Sequence, residues 1–257
     1  MQAFIAIDSL CKSYGGGSER AALRDLTLDL RPGEFLTVVG SSGSGKSTLL
    51  KILAGIEQAS SGTAKIVSEE IHPRIGFVFQ SNTVFPWRTA EDNLAYALEL
   101  QGKGKAERRE VARKLCEMVG LEPDVILRKF PRQMSGGQVR RIAFGMALAH
   151  NPQVLLCDEP TSQLDHWTKL HMQQMVEQLW REKSFTAVYV THDIDESIFL
   201  GDRVLVLDNG RMAGLFEIDL LRPRTEAVLG CEKFSQYREA ILNRVNEGKL
   251  SAVSVCA

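Results

Sequence analysis

Long apolar runs are missing from this chain. None approaches the roughly 18 residues that a bilayer-spanning helix needs, so no segment is expected to cross a membrane. Met1-Gln2-Ala3-Phe4 lacks the charged and then apolar pattern of an export signal, and none is expected. Excess charge is missing too. Lys and Arg number 31 against 32 Asp and Glu, a formal net charge of −1. That removes the electrostatic case for nucleic acid as main partner and for a polybasic membrane anchor. Paired cysteines are also absent. The five cysteines (11, 116, 157, 231, 256) are scattered, odd in number and form no CxxC. They read as reduced cytosolic thiols rather than a disulfide framework or a metal site. There is no internal repeat and no low-complexity stretch. The 257 residues, 44% hydrophobic, suffice for a full α/β core in one or two domains.

One stretch stands out against this plain background: Gly40-Ser41-Ser42-Gly43-Ser44-Gly45-Lys46-Ser47-Thr48. It follows an apolar run, Phe35 to Val39, that reads as a buried strand. It precedes Leu49 to Ala54, which reads as a helix. That context turns a glycine-rich string into a phosphate-binding loop. Glycines let backbone N–H groups curl around phosphate oxygens, and the helix N-terminus aims its unpaired N–H groups at the same anion. Lys46 is expected to reach the β- and γ-phosphates, and the Ser47 hydroxyl to ligate Mg²⁺.

The rest reads as strands alternating with helices. Phe4 to Ile7 and Leu26 to Leu30 alternate like strands, with turns over 11–17 and 60–62. Ile75 to Phe79 is a further strand ending on Gln80. From about 91 to 150 the texture is helical, as if a helical subdomain were inserted between strands. Strands resume at 154–157, 187–190 and 204–207, with helices over about 167–182 and 194–200. Strands bounded by helices imply parallel pairing and right-handed crossovers. A charged helix at about 233–246 and a polar tail end the chain.

Several residues carry chemistry beside the loop. Strand 154–157 ends on Asp158-Glu159, at the edge of a parallel sheet where ligands sit. Asp158 is the Walker-B type carboxylate for Mg²⁺. Glu159 is expected to orient and deprotonate an attacking water. His192 follows another apolar strand and is expected to contact the γ-phosphate or the water. The Gln80 amide is a candidate for Mg²⁺ or water. Ser135-Gly136-Gly137-Gln138 opens a helix. Ser135 is either a plain N-cap or part of a ligand contact that the glycines permit. Phe85 and Trp87, flanking Pro86, read equally as core or as a partner surface.

Taken together, these residues resemble the ATP-binding subunit of ATP-binding-cassette (ABC) transporters over nearly the whole chain. Met134 to Gln138 is similar to the family's signature motif. Gln80 resembles its Q-loop glutamine, Leu164-Asp165 its D-loop, His192 its switch histidine, and Tyr14 the aromatic that stacks on adenine. The resemblance implies an α/β P-loop NTPase core with a mostly parallel sheet and an N-terminal antiparallel β subdomain. A helical signature subdomain over about 86–150 is inserted in an ATP-binding domain spanning 1–220, and residues 221–257 form a short helical tail. It implies ATP and Mg²⁺ as cofactors and a head-to-tail dimer, expected to be a homodimer. There the loop of one subunit faces Ser135 and Gly137 of the other. It implies permease subunits docking at Phe85-Pro86-Trp87, a solute-binding protein acting through them, and a peripheral place on the cytoplasmic face of the membrane. Phe85 to Arg88, Glu91 to Leu94, Thr191 to Ser197 and Leu221 to Arg224 resemble the nitrate, sulfonate and taurine importers, whose relatives handle bicarbonate or thiamine precursors.

Three departures from the family's pattern stand out: Met134 for Leu, Gln163 for Ala, and Gly145-Met146 for Ala-Arg. An active ATPase is expected because Glu159 and His192 are both present. Two rival readings are a weakly hydrolysing regulatory subunit, motivated by Gln163 and Met146, and a soluble, non-transport ABC ATPase.

Overall fold

The computed structural model describes residues 4–15, 21–68, 73–81 and 83–253, and it divides into two compact units. The first comprises Met1–Pro73 and Ser184–Ala257, the second Arg74–Lys183.

In the first unit, β1 (Ile5–Ser13) pairs antiparallel with both β2 (Ala21–Leu30) and β4 (Ser61–Ile66). Ile5, Ile7 and Leu10 face Leu30, Leu28 and Leu26, and all six are buried. β1 runs further than the sequence suggests. The turn expected from Cys11 is strand as far as Ser13, and Gly16 and Gly17 lie outside the described residues. The turn expected at 60–62 is instead the start of β4. Ser9 at φ 47° and Gly62 at φ 75° bulge towards each other, and a β-carbon at Gly62 would sit 2.2 Å from the Ser9 carbonyl oxygen. Only glycine lets the strands continue past this irregularity.

The second layer of this unit centres on β3 (Phe35–Val39). It pairs parallel with β7 (Thr186–Val190) on one side and β8 (Arg203–Asp208) on the other. Every residue of β3 and β7 is buried, as the continuous apolar runs require of strands covered on both faces. β9 (Arg211–Glu217) adds antiparallel to β8. It went unread because its exposure does not alternate cleanly. Its hairpin signal, Asn209-Gly210 with φ 46° and 80°, is nevertheless in the sequence. α1 (Lys46–Leu53) follows the glycine-rich loop, α8 (Ile194–Leu200) follows β7, and α9 (Glu232–Val253) ends the described chain. α9 is longer than the helix expected at 233–246. Its Phe234 and Ile241 are buried with Ile198, Val39, Val204 and Val206.

In the second unit, β5 (Ile75–Val78) pairs parallel with β6 (Val154–Asp158). Around them lie α2 (Ala90–Leu94), α3 (Tyr96–Leu100), α4 (Lys105–Met118), α5 (Pro123–Ile126), α6 (Gly136–Leu148) and α7 (His166–Lys183). The single helix read over 91–100 is two short ones, broken at Ala95. Cys11, Cys116, Cys157 and Cys231 form no disulfide.

The departure at Gly145 has a packing cause. A β-carbon there would stand 2.4 Å from Leu94 Cδ2 and 3.6 Å from Val119 Cγ1. Glycine therefore lets α6 approach α2 more closely than alanine would. Gly145→Ala is expected to destabilise the protein by about 1–3 kcal/mol through overpacking, despite alanine's better helix propensity. Urea denaturation monitored by circular dichroism measures this.

Candidate active site

The first unit carries the phosphate loop, and its shape follows from backbone packing against backbone. At Gly40, φ 157°, a β-carbon would stand 2.1 Å from the Leu207 carbonyl oxygen. At Gly45, φ 101°, it would stand 2.2 Å from the Ala22 carbonyl oxygen. No other residue fits either position. The loop is tied further by the Gly210 N–H, which donates to the Ser44 carbonyl at 3.2 Å, and by the Ser44 N–H, which donates to Ser41 at 3.2 Å. Gly45 is the N-cap of α1 and has no side chain to occupy the first-turn N–H groups. The N-terminus of such a helix is suited to an anion.

Lys46 opens α1 and is buried. Its ammonium donates to the Gly40 carbonyl at 2.9 Å and the Ser41 carbonyl at 2.8 Å, with Ser44 Oγ at 3.5 Å. A phosphate oxygen that takes this ammonium replaces loop carbonyls already arranged around it. Ser47 and Thr48 follow, half-buried, while Ser42 and Gly43 are exposed. Tyr14 is 44% exposed, with the Lys12 ammonium 4.9 Å from its ring centroid.

His192 is exposed, and its neighbours are fixed. The buried Glu196 carboxylate accepts from Tyr189 Oη at 2.9 Å and Thr191 Oγ1 at 2.5 Å. Asp193 caps α8 by accepting from the Glu196 N–H at 3.1 Å, and its own N–H donates to Thr191 Oγ1 at 3.1 Å. The sequence singles out His192 as a candidate but does not reveal this frame. The signal was a buried-type position, Glu196, filled by a carboxylate.

The second unit holds the other candidates. β6 ends on buried Asp158. Glu159 follows with φ 44°, a left-handed conformation rare for a glutamate, and its Oε2 accepts from Gln80 Nε2 at 3.2 Å. The structure therefore brings together the two side chains read as water-activating and water-contacting. Arg140 is a third participant that the sequence did not reveal. It is 3% exposed and donates from Nη1 to the Phe79 and Gln80 carbonyls, and from Nη2 to the Gln80 carbonyl, all at 3.0 Å. It thereby pins the strand end from which Gln80 projects. Its neighbour Arg141 binds the Val119 and Gly120 carbonyls instead, just past the end of α4.

Ser135 is the N-cap of α6. Its hydroxyl accepts from the Gln138 N–H at 3.3 Å, and Gln138 Oε1 accepts from the Ser135 N–H at 3.0 Å. Ser135 and Gly136 are exposed. A β-carbon at Gly137 would meet Thr168 Cγ2 at 2.6 Å, so a larger residue where α6 starts would displace the Thr168 side chain of α7. Asp165 caps α7 by accepting from the Thr168 N–H at 3.0 Å and Oγ1 at 2.6 Å, which holds its carboxyl below the usual range. Gln163 is exposed, as is Trp167 at 66%.

The Phe85-Pro86-Trp87 turn is presented by Asn93. This fully buried side chain accepts from the Phe85 N–H at 2.8 Å and donates to the Phe85, Arg88 and Thr89 carbonyls at 3.2, 3.2 and 2.9 Å. Trp87 is 71% exposed, its ring 5.6 Å from that of Phe85.

The ABC transporter family model matches residues 23–162. The chain belongs to the ABC transporter family. Across 237 residues this cassette is 40% identical to the aliphatic sulfonates import ATP-binding protein SsuB 1 of Agrobacterium fabrum, covering 92% of the chain and 82% of the relative. Over 234 residues it is 38% identical to the nitrate import ATP-binding protein NrtC of Synechococcus elongatus, covering 87% of the chain but 35% of that longer protein. Among solved structures it is similar to the dimeric ATP-binding cassette MJ0796 in a post-hydrolysis state bound to ADP and Pi. The TM-score is 0.74 at 33% identity, over 84% of this chain and all of that one.

The two kinds of glycine in the loop separate cleanly by mutation. Gly43 needs only its positive φ, 79°, and has open space around a β-carbon. Gly43→Ala is expected to cost about 1–2 kcal/mol, and Gly45→Ala about 3 kcal/mol or more because it also forces Ala22 away. Urea denaturation ranks the two variants.

Proposed function

We propose that this cassette is the ATP-hydrolysing subunit of a membrane importer for a small solute of the nitrate, sulfonate or taurine kind. The observation that carries the hydrolytic reading is the Glu159 carboxylate at the end of β6, on a left-handed backbone and hydrogen-bonded by Gln80. The solute class rests on the relatives that import sulfonates and nitrate. The cassette works with a second ATP-binding subunit, expected to be another copy. It also works with permease subunits that dock on the Phe85-Pro86-Trp87 turn and receive solute from a binding protein. Among the described residues no helix is long and apolar enough to cross a membrane. By likeness to the importer ATP-binding subunits, we assign the subunit a peripheral place on the cytoplasmic face, held by the permease.

In this reading ATP lies with its phosphates on the loop from Gly40 to Thr48 and its adenine against Tyr14. Glu159 accepts a proton from water as the water oxygen bonds to the γ-phosphorus. The bond from phosphorus to the β–γ bridging oxygen breaks, and ADP leaves with that electron pair. Lys46 and His192 stabilise the charge that spreads over the γ-phosphoryl oxygens. Ser47, Asp158 and the Gln80 amide oxygen are hard oxygen donors, suited to Mg²⁺. The hydrogen bond to Glu159 uses the Gln80 amide nitrogen and leaves that oxygen available. When bound, Mg²⁺ neutralises phosphate charge. Ser135, Gly136, Gly137 and Gln138 act on the nucleotide held by the second subunit, for which the exposed start of α6 is suited.

Glu159→Gln keeps the hydrogen-bonding shape and removes the base. It is expected to retain Mg-ATP binding while turnover falls by about 10²- to 10⁴-fold. Phosphate release measured beside equilibrium nucleotide binding tests this, and normal turnover in the variant would sink the assignment.

A further inference from the structure

The helix that follows His192 is held at both ends by residues from beyond position 220. At the C-terminal end of α8, Arg224 is 3% exposed. Its Nη1 donates to the carbonyls of Ile198, Phe199 and Gly201 at 2.7, 3.1 and 2.7 Å. Its Nη2 reaches those of Ile218 and Leu220 at 3.3 and 3.4 Å. Arg222 adds the Leu200 carbonyl at 2.6 Å and binds Asp202 Oδ1 from Nη2 at 2.9 Å and Nε at 3.2 Å. Together they take up carbonyls that a helix leaves unpaired in its last turn. At the N-terminal end, Arg238 of α9 grips Asp195 with two parallel bonds, Nε to Oδ1 at 2.5 Å and Nη2 to Oδ2 at 2.7 Å.

The Arg238 contact differs in kind from the others. Asp195 sits in the first turn of α8, where a carboxylate is favoured by the helix dipole with or without a partner. Both side chains are two-fifths exposed or more, so the pair adds little to global stability. What the fork adds is direction, because two planar groups joined by two bonds lose their freedom to pivot. The cap residue Asp193 and His192 lie immediately before that turn. α9 itself is anchored by Phe234 and Ile241 in the cluster containing Val39, the last residue before the phosphate loop.

We infer that Arg238 is a positioning residue for His192: through Asp195 it fixes the first turn of α8, and so where the imidazole stands when the γ-phosphate is attacked. The inference rests on the role given to His192 above. It also gives the C-terminal helix a part in turnover.

The test is steady-state ATP turnover of the full chain in Arg238→Ala, Asp195→Asn, the double variant, His192→Ala, and His192→Ala combined with Arg238→Ala, with melting temperatures alongside. Arg238→Ala and Asp195→Asn are each expected to lower kcat by about 10-fold at unchanged KM for ATP. The double variant is expected to fall no further than either single one, and Arg238→Ala to have no effect once His192 is alanine. Wild-type kcat in Arg238→Ala, or an undiminished loss in the His192→Ala background, overturns the inference while leaving the role of His192 intact. Wild-type turnover in His192→Ala itself overturns that role and the inference with it. Asp195→Asn attacks the same contact from α8, so the result does not depend on how one variant of α9 folds.

Discussion

Backbones meet at the phosphate loop with no side chain between them. The carbonyl oxygens of Ala22 and Leu207 stand where the β-carbons of Gly45 and Gly40 would be, and the Gly210 N–H closes on the Ser44 carbonyl. A loop gripped in this way keeps its N–H dipoles oriented before any phosphate arrives, which is what electrostatic preorganisation requires. The start of β2 and the β8–β9 hairpin are therefore part of the loop's construction. Moving either would change the shape of the cradle, even though neither contributes a residue to the motif. This constraint also explains why the chain must place glycine at 40, 45 and 210.

Elsewhere the irregular segments are held by a recurring device, a polar side chain with several N–H donors buried among main-chain carbonyls. Arg140 does this for the residues before the Gln80 loop, Arg224 for the end of α8, and Asn93 for the turn carrying Trp87. Helix ends and loops leave carbonyls that must be paired if they are buried. A guanidinium has five donors in a fixed fork and satisfies several at once. The result is a set of loops whose conformations are over-determined by single residues. Such rigidity suits a site whose chemistry depends on placement more than on covalent steps.

The sequence was most legible where apolar runs were continuous. β3, β6, β7 and β8 could be read because strands covered on both faces leave no other explanation for Val-, Leu- and Ile-rich runs. Asp158, Glu159 and His192 then followed from their places at strand ends. β4 and β9 were missed because they are largely exposed and show no period of two, although Asn209-Gly210 announced a hairpin. The carbonyl-binding side chains were illegible for a different reason. Arg140 acts on residues 60 and 61 positions away, and Arg224 on others 23 to 26 away. No local pattern encodes such pairings. The reason for glycine at 145 is likewise illegible in the sequence, because it lies in Leu94, 51 positions away, whose Cδ2 fills the space a β-carbon would need.

The placement of indole rings has an optical consequence. The chain has three tryptophans, and two of them, Trp87 and Trp167, are largely solvated, at 71% and 66%. One stands in the turn held by Asn93 and the other at the start of α7, beside the Asp165 cap. An indole moved from water into an apolar contact changes its emission colour and its access to quenchers. The isolated chain should therefore fluoresce largely as solvated indole. Covering either segment would be written into its spectrum, and replacing one tryptophan at a time would tell which segment had been covered, with no label attached.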